Sequence, residues 1–292
     1  MAEQQQHRWR PTRGQVLWTL AIVAFLTVAV LIGYLYSITL WDWIKLLIVP
    51  AVIAGGGLWF NAQQREREQW IANERAQDEA LQAYVDGMSQ LLADKDRPLH
   101  RARSPEPLST VAWARTKTVL RRMDAPRRGI VVRFVYESRL IYKGKRVFDL
   151  AEASVRGADL RDSWLEDIDL EGTDLCGANL CGAHLCRANL RGAKLRGAKL
   201  READLTKVDL GVAKETNQAA DLTGADLSGA YLEEAYLEEA DLSRADLREA
   251  KGWTAEQWRE ASSLKGATMP NGQKYEDWIK SRGEDGENSG SS

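Results

Sequence analysis

Three cysteines lie five residues apart, and they are the most reactive side chains that the sequence gathers in one place: Cys176, Cys181 and Cys186. A zinc site would need such thiolates to converge on one ion, with bonds of about 2.3 Å. A spacing of five within a five-residue repeat puts each thiol on a different side of the fold, so no metal site is predicted. An odd number of closely spaced cysteines is also unlike the disulfide framework of a small secreted domain.

The other candidate groups do not form a catalytic set either. His7, His100 and His184 belong to three different segments, and no phosphate-binding loop or dinucleotide fingerprint occurs. Carboxylates are abundant, but a core of leucine and alanine leaves no water-excluded cleft in which one of them could be tuned for acid–base chemistry. We therefore expect a protein that is not an enzyme, with no catalytic residues, no cofactor and no metal.

The cysteines remain candidates for charge-assisted reactivity. If one coil of the fold holds about 20 residues, side chains twenty apart in sequence stack on the same side, one rung of about 4.8 Å apart. The predicted neighbours are then Arg156 and Arg196 for Cys176, Arg161 and Arg201 for Cys181, and Glu166 and Thr206 for Cys186. Guanidinium groups favour a thiolate, so the first two thiols would react faster than the third. The alternative is that all three are ordinary surface thiols and the arginines reach into water.

The elements that would position these residues follow from a period of five. Leucines recur at every fifth position from Leu160 to Leu210 and again from Leu222 to Leu247, and small residues stand two positions before most of them. In a helix, successive leucines would lie 140° apart, and in a flat strand an odd period would alternate faces. The chain must therefore turn a corner at each unit, and four corners close a square coil of about 20 residues that stacks on the next coil.

Runs such as Ala178-Asn179-Leu180 and Ala203-Asp204-Leu205 closely resemble the pentapeptide-repeat family, in which A-[DN]-L-x-x recurs in tandem. The resemblance implies a right-handed quadrilateral β-helix, and the family offers no general catalytic motif to transfer. The arrangement of the N-terminal segment also looks like that of membrane-anchored bacterial members. The expected fold class is an all-β solenoid at the C-terminal end, preceded by an α-helical transmembrane hairpin and a helical linker region.

The hairpin is predicted from two apolar runs, residues 16–36 and 43–60, of which the second contains Lys45. A cleaved signal peptide is the alternative for the first run. Arginines flank the outer ends of the pair, whereas the short connection has few charges, so the positive-inside rule predicts that both termini are cytoplasmic. The expected location is the inner or plasma membrane, with membrane lipids contacting residues 16–60.

The middle of the chain is helical and strongly basic, with fourteen Lys and Arg against three Asp and Glu over residues 97–146. Three interpretations stay open: contact with anionic lipid, a helix-turn-helix-like arrangement that turns arginines toward nucleic acid, or basic helices that are solvated or answer acidic groups of the chain itself. The arginines concerned are Arg127, Arg128, Arg133 and Arg139. The third interpretation is favoured, and nucleic acid is the least favoured. Residues 61–93 are predicted to form a helix that packs on its own chain. The alternative is that this helix pairs with other copies of the chain in a homo-oligomer.

These patterns divide the chain into seven segments. The predicted segments are a short basic N-terminus (1–15), the hairpin (16–60), a juxtamembrane helix (61–96), a basic helical region (97–147), the repeat β-helix (148–250), a C-terminal cap (251–281) and a disordered tail (282–292). The twelve residues from Leu210 to Leu222 are interpreted as two units plus a two-residue excess, with residues 211–219 as a loop at one corner. Leu185 should be enclosed, and Asn189 should face outward.

The predicted function is that of a membrane-anchored, non-catalytic scaffold that presents the solenoid to an unknown cytoplasmic protein. One alternative is DNA mimicry, as in family members that bind type II topoisomerases, and another is nucleic-acid binding by the basic region. Mimicry needs a continuous anionic surface. Residues 175–201 contain six basic residues and no acidic one, and this cationic band favours the scaffold.

Overall fold

The structure is a computed structural model that describes residues 24, 27, 28, 40–95, 98–102, 106–151 and 153–287. The chain divides into two compact units, Met1–Ala72 and Asn73–Ser292. Its helices are α1 (Leu40–Ala93), a 3₁₀ turn (Leu99–Arg101), α2 (Pro107–Arg122), α3 (Ala125–Glu137), α4 (Ala255–Glu260) and α5 (Tyr275–Glu287). The repeat region lies between α3 and α4.

Among the residues that the structure describes, no helix is long and apolar enough to cross a membrane. The predicted hairpin over residues 16–60 is therefore wrong, and so is the prediction of an integral membrane protein with cytoplasmic termini. The second run, 43–60, has 18 residues that include Lys45, Pro50 and three successive glycines, against about 20 predominantly apolar residues that a bilayer requires. It lies in α1, which continues past Phe60 into a polar sequence. The first run lies outside the described residues except for Ala24, Thr27 and Val28.

The helices of the second unit pack through a small core around Tyr84. Its ring meets Phe134 edge-on at 5.9 Å, and its hydroxyl lies 2.8 Å from the hydroxyl of Thr116. Met88 and Leu120 are fully buried beside it. Far-half residues of α1 thus pack on α2 and α3 of the same chain, as the favoured interpretation of this segment predicts.

Arg127 ties the start of α3 to α1. Its guanidinium contacts Glu74 Oε2 at 2.8 Å, Asp78 Oδ1 at 2.7 Å and Asp124 Oδ2 at 2.7 Å, and its side chain is only 10% exposed. Asp124 is the N-cap of α3 and also accepts from the Arg127 N–H at 3.1 Å. One of the four arginines considered for nucleic-acid contact is therefore committed to carboxylates of its own chain.

The repeat region is a solenoid with a 20-residue coil. Single-residue parallel bridges join positions twenty apart, as at Ser154 and Asp174 or Asn179 and Lys199, and no longer strands form in this described region. The leucines of the five-residue period are 0–1% exposed, and the alanines two positions before them are also buried. The predicted 20-residue coil and the inward leucines are confirmed, because each unit turns one corner while its Ala and Leu point to the same interior.

One coil is longer than the others. Lys194 pairs with Asp221, Lys199 with Asp226 and Asp209 with Tyr236, each 27 residues apart. The stretch from Leu210 to Leu222 therefore holds one unit plus seven inserted residues, and the interpretation as two units plus two is wrong. A hydrogen bond holds the insertion against an earlier coil: the Lys214 N–H donates to Glu171 Oε1 at 3.1 Å.

Helix α3 closes the N-terminal end of the solenoid. The N–H of Asp159 in the first coil donates to the Ala125 carbonyl at 3.1 Å, and that of Asp169 donates to the Ile141 carbonyl at 2.9 Å. Gly129 lies against the Asp159 carbonyl so closely that a β-carbon there would overlap it. Backbone groups that would otherwise form an open edge are thus paired with the cap.

At the other end the repeat continues beyond Ala250, which the five-residue pattern did not predict. Ser263 pairs with Asp241 and Thr268 with Asp246, and Leu264 and Met269 are buried as the leucines are. Helix α4 begins with a capping box, in which Thr254 Oγ1 accepts from the Gln257 N–H and Gln257 Oε1 accepts from the Thr254 N–H. Helix α4 is therefore inserted at a corner of a further partial coil.

Candidate interaction surface

The outward residue before each leucine has a structural role wherever it is Asp or Asn. Its side-chain oxygen accepts a hydrogen bond of 2.9–3.4 Å from the N–H two residues on, which fixes the corner. The residues concerned are Asp159, Asp169, Asp174, Asn179, Asn189, Asp204, Asp209, Asp221, Asp226, Asp241 and Asp246. These Asp and Asn residues are therefore corner residues of the fold.

We expect Asp226→Ala to lower the free energy of unfolding by about 1 kcal/mol, because it removes the acceptor for the Ser228 N–H at 3.1 Å and the Ser228 hydroxyl at 2.6 Å. Urea denaturation followed by circular dichroism measures it. The matched control is Lys199→Ala, one rung away in the same column, where no oxygen is available to accept this bond. Equal losses in the two variants would contradict the role of the carboxylate.

The cysteines occupy the predicted register, but not the predicted electrostatic environment. Gly157 donates to the Cys176 carbonyl, and Gly177 donates to that of Arg196, so Cys176 lies between the two arginine coils. Arg156, however, pairs with Asp174 at 3.2 Å. Burial, then the hydrogen bond and charge of Asp174, raise the pKa of Cys176 in spite of Arg156. The expected lowered pKa of this thiol is therefore wrong.

The pKa of Cys186, the thiol with no predicted arginine neighbour one coil away, is raised as well. Burial raises it, and Arg187 opposes the shift. Arg161, the predicted neighbour of Cys181, forms an ion pair with Asp159 at 2.8 Å. Sequence reasoning placed the arginines correctly along the solenoid but omitted the carboxylates, two residues away or one coil away, that neutralise them.

We expect Cys176, in a variant that lacks the other two cysteines, to react with iodoacetamide at pH 7 more slowly than free cysteine does. A raised pKa leaves a smaller thiolate fraction, and the thiolate is the nucleophile. Asp174→Asn should raise the rate several-fold. Asp241→Asn, three coils away on the same side, should leave it unchanged. A Cys176 rate above that of free cysteine would contradict the assigned environment.

Two more arginines of the basic region are also committed to the protein. Arg128 donates to the Arg156 carbonyl at 2.6 Å, and Arg133 donates to the Asp159 carbonyl at 3.1 Å. Both contacts hold α3 on the first coil. Of the four arginines considered for nucleic acid, Arg139 alone is exposed with no side-chain hydrogen bond or ion pair among the described residues. This favours the interpretation that the basic helices answer groups of the same chain.

Three sides of the solenoid depart from the corner rule only in places, as at Lys194, Lys199 and Tyr236, whereas the fourth departs from it on four of five coils and carries aromatic residues there. Its outward column, here called the aromatic face, runs through Trp164, His184, Asp204, Tyr231 and Lys251 on successive coils. The rings of the first two stack at 4.0 Å and 10°, and Lys251 Nζ lies 4.6 Å above the Tyr231 ring. Trp164 is 66% exposed and Tyr231 39%. Four of these five residues cannot accept the corner hydrogen bond, so local fold requirements do not explain their types.

The other sides carry mixed charge rather than one sign. A cationic coil crosses them, with Arg191, Lys194, Arg196, Lys199 and Arg201 within eleven residues of sequence. Arg191 pairs with Asp209 at 2.6 Å, and Arg196 lies 3.7 Å from Asp221. Anionic columns are thus interrupted and partly neutralised.

Within the described part of the chain, carboxylates, cysteines and histidines form no group that could hold a metal ion. The most enclosed carboxylate of the repeats, Asp169, has its pKa raised by burial, but it accepts from Asn189 at 2.9 Å and faces Arg146 at 3.5 Å. Polar partners of the same chain thus hold this carboxylate in place.

The fold is a repeat solenoid: its coils stack, leucine and alanine fill its interior, and its sides carry different outward residues. The family profile described as pentapeptide repeats (8 copies) matches residues 153–192, 168–206 and 218–251. HetL, a pentapeptide repeat protein involved in heterocyst differentiation regulation from the cyanobacterium Nostoc sp. strain PCC 7120, is 33% identical over 44% of this chain and 68% of its own, with a TM-score of 0.22. The chain belongs to the pentapeptide-repeat family.

Two further structures are similar in part. Rfr23 from the cyanobacterium Cyanothece 51142 is 36% identical over 37% of this chain and 63% of its own, with a TM-score of 0.21. QnrB1, a plasmid-mediated fluoroquinolone resistance protein, is 20% identical over 46% of this chain and 62% of its own, with a TM-score of 0.35. No curated protein sequence matches the chain. The family assignment comes from the repeats and the sequence identity, and not from these superpositions.

Proposed function

We propose that the chain is a non-catalytic binding protein that holds a protein partner on the aromatic face of its solenoid. The proposal rests mainly on one column of outward residues, Trp164, His184, Tyr231 and Lys251. Aromatic rings and a cation stand there in place of the Asp or Asn that fixes other corners. Exposed Trp and Tyr on a rigid surface are typical of binding hot spots. Because the backbone rungs hold these side chains in register, little conformational entropy is lost when a partner binds.

The filled interior supports a role in binding rather than in catalysis. Leucines at 0–1% exposure occupy the space that a buried substrate would need. DNA mimicry is the less favoured alternative, because the coil containing Lys194 and Lys199 interrupts the anionic surface.

The proposal is tested by affinity purification of the full chain from its native host. We expect Trp164→Ser combined with Tyr231→Ser to remove the proteins that wild type retains. The matched control, Lys194→Ser combined with Lys199→Ser, changes two exposed residues on two other sides and should retain them. Equal retention by both double variants would contradict the aromatic face. Inhibition of a type II topoisomerase by the purified chain would favour mimicry instead.

A further inference from the structure

A second candidate site lies in the N-terminal cap and does not depend on the aromatic face. A pocket of about 690 Å³ opens between the end of α3, the following loop and the 3₁₀ turn. Its walls include Tyr136 and Tyr142, with Leu92 as the apolar contribution of α1. The volume lies within the range of small-molecule pockets in proteins. We call it the cap pocket.

The two tyrosines form a fixed aromatic wall. Their rings stack at 6.1 Å and 21°. Tyr136 donates its hydroxyl proton to the Glu166 carbonyl at 2.8 Å, and Tyr142 donates to Asp167 Oδ2 at 3.2 Å. Burial is the first cause that raises the pKa of each phenol, so both are neutral at neutral pH. The wall thus adds ring surface to the pocket without adding negative charge.

The rim of the cap pocket is cationic. His100, Arg139 and Lys145 line it, and all three are exposed. Within the part of the chain that the structure describes, neither Arg139 nor Lys145 has a carboxylate within ion-pair distance, whereas Arg127 and Arg187 each bind carboxylates. Two cationic side chains therefore lie at this opening without an ion-pair partner among the described residues, beside the lining acid Glu137.

Arg139 also has an unfavourable backbone position for its residue type. Its φ is +58°, directly after α3, where its N–H donates to the Tyr136 carbonyl at 2.8 Å. A helix that ends in this left-handed conformation usually has glycine there, because a β-carbon is disfavoured. Glycine at this position would therefore remove the cation and suit the backbone at the same time.

We propose that the cap pocket binds a mononucleotide-sized aromatic anion, with its planar ring against the tyrosine wall and its phosphate held by Arg139, Lys145 and His100. Guanidinium and ammonium groups are the usual phosphate ligands, and aromatic side chains are the usual ring partners in proteins. Among the described lining residues Glu137 is the one acid, and its carboxylate accepts a hydrogen bond from an amino group on the ring.

The first experiment measures binding to the full chain by calorimetry, with three probes: AMP, adenosine and inorganic phosphate. We expect saturable AMP binding at one site, and adenosine and phosphate each to bind at least about tenfold more weakly, because each lacks half of the contacts. Absence of AMP binding would overturn the proposal. Phosphate that binds as tightly as AMP would overturn the role of the ring.

The decisive variant is Arg139→Gly, which removes the cation and suits the backbone. We expect AMP affinity to fall at least about tenfold while the melting temperature stays the same or rises. The matched control is Arg244→Gly, an exposed arginine with φ +59° on the solenoid, which should leave AMP affinity unchanged. Unchanged AMP affinity in Arg139→Gly, or an equal loss in Arg244→Gly, would overturn the assignment.

Discussion

Leu185→Asp should lower the free energy of unfolding of the solenoid by more than about 5 kcal/mol. The side chain is fully buried among the leucines of neighbouring coils. The substitution removes apolar contacts that are worth roughly 3–5 kcal/mol and places a carboxylate where no partner or water can reach it. Because each coil stacks only on its neighbours, the defect should open its own coil and expose the next one. Urea denaturation followed by circular dichroism measures the loss.

The control for this variant comes from the structure rather than from the sequence. Asn189 was expected to face outward, but it is 9% exposed and donates to Asp169 at 2.9 Å, so it is not a neutral position. Asn179→Ser is the better control, because the side chain is partly exposed and serine can still accept from the Cys181 N–H. We expect a change within about 0.5 kcal/mol. A loss equal to that of Leu185→Asp would contradict the assignment of inside and outside.

Gly129→Ala should destabilise the protein by about 2–3 kcal/mol, although alanine is normally the better helix former by about 1 kcal/mol. The reason is that the added β-carbon would overlap the Asp159 carbonyl of the first coil. That atom belongs to the backbone and cannot move aside without parting α3 from the solenoid. Thermal unfolding of the variant measures the change.

A second helical glycine provides the matched control. A β-carbon on Gly87 of α1 would meet only the end of the Arg115 side chain, with Nη1 3.2 Å away, which can rotate aside. We expect Gly87→Ala to leave stability unchanged or to raise it by up to about 1 kcal/mol. If both alanine variants stabilise the protein, the close contact between α3 and the first coil is not present.

The repeat itself could be predicted because the same five-residue pattern of alanine and leucine recurs many times in the sequence. Alanine and leucine two residues apart must share a side, and a period of five forces a corner, so the 20-residue coil follows from spacing alone. The Asp and Asn before each leucine follow from the same corner, since only a short polar side chain reaches the next N–H. The coil was predicted from the sequence and is confirmed, whereas the corner hydrogen bonds of Asp and Asn are a finding of the structure.

The aromatic face could not be predicted, because it depends on a register that the sequence leaves ambiguous. Trp164 and His184 are twenty apart, but Tyr231 joins them only when the stretch before Leu222 counts as one unit plus seven residues. Counting it as two units plus two rotates every later residue onto the next side. An insertion contributes no leucine of its own, so its length alone does not say how many corners it contains.

The ends of the solenoid escaped prediction for a different reason. Leu264 and Met269 continue the buried column, but the intervening α4 breaks the period that would reveal them. At the other end, the favoured interpretation was that the basic helices are solvated or answer acidic groups of the chain, whereas Arg128 and Arg133 bond to main-chain carbonyls of the first coil. Every residue type has a backbone carbonyl, so the sequence of a basic helix does not show that its arginines bond to carbonyls of another segment.

The central claim, that the aromatic face holds a protein partner, is tested most directly by photo-crosslinking from position 231 of the full chain in its native host. A benzophenone amino acid replaces Tyr231, and the same residue replaces Asp241, which lies on the opposite side of the coil. We predict a discrete adduct with a second protein from position 231 that Trp164→Ser removes, and no such adduct from position 241. The same adduct from both positions, or one from position 231 that persists without Trp164, would contradict the claim.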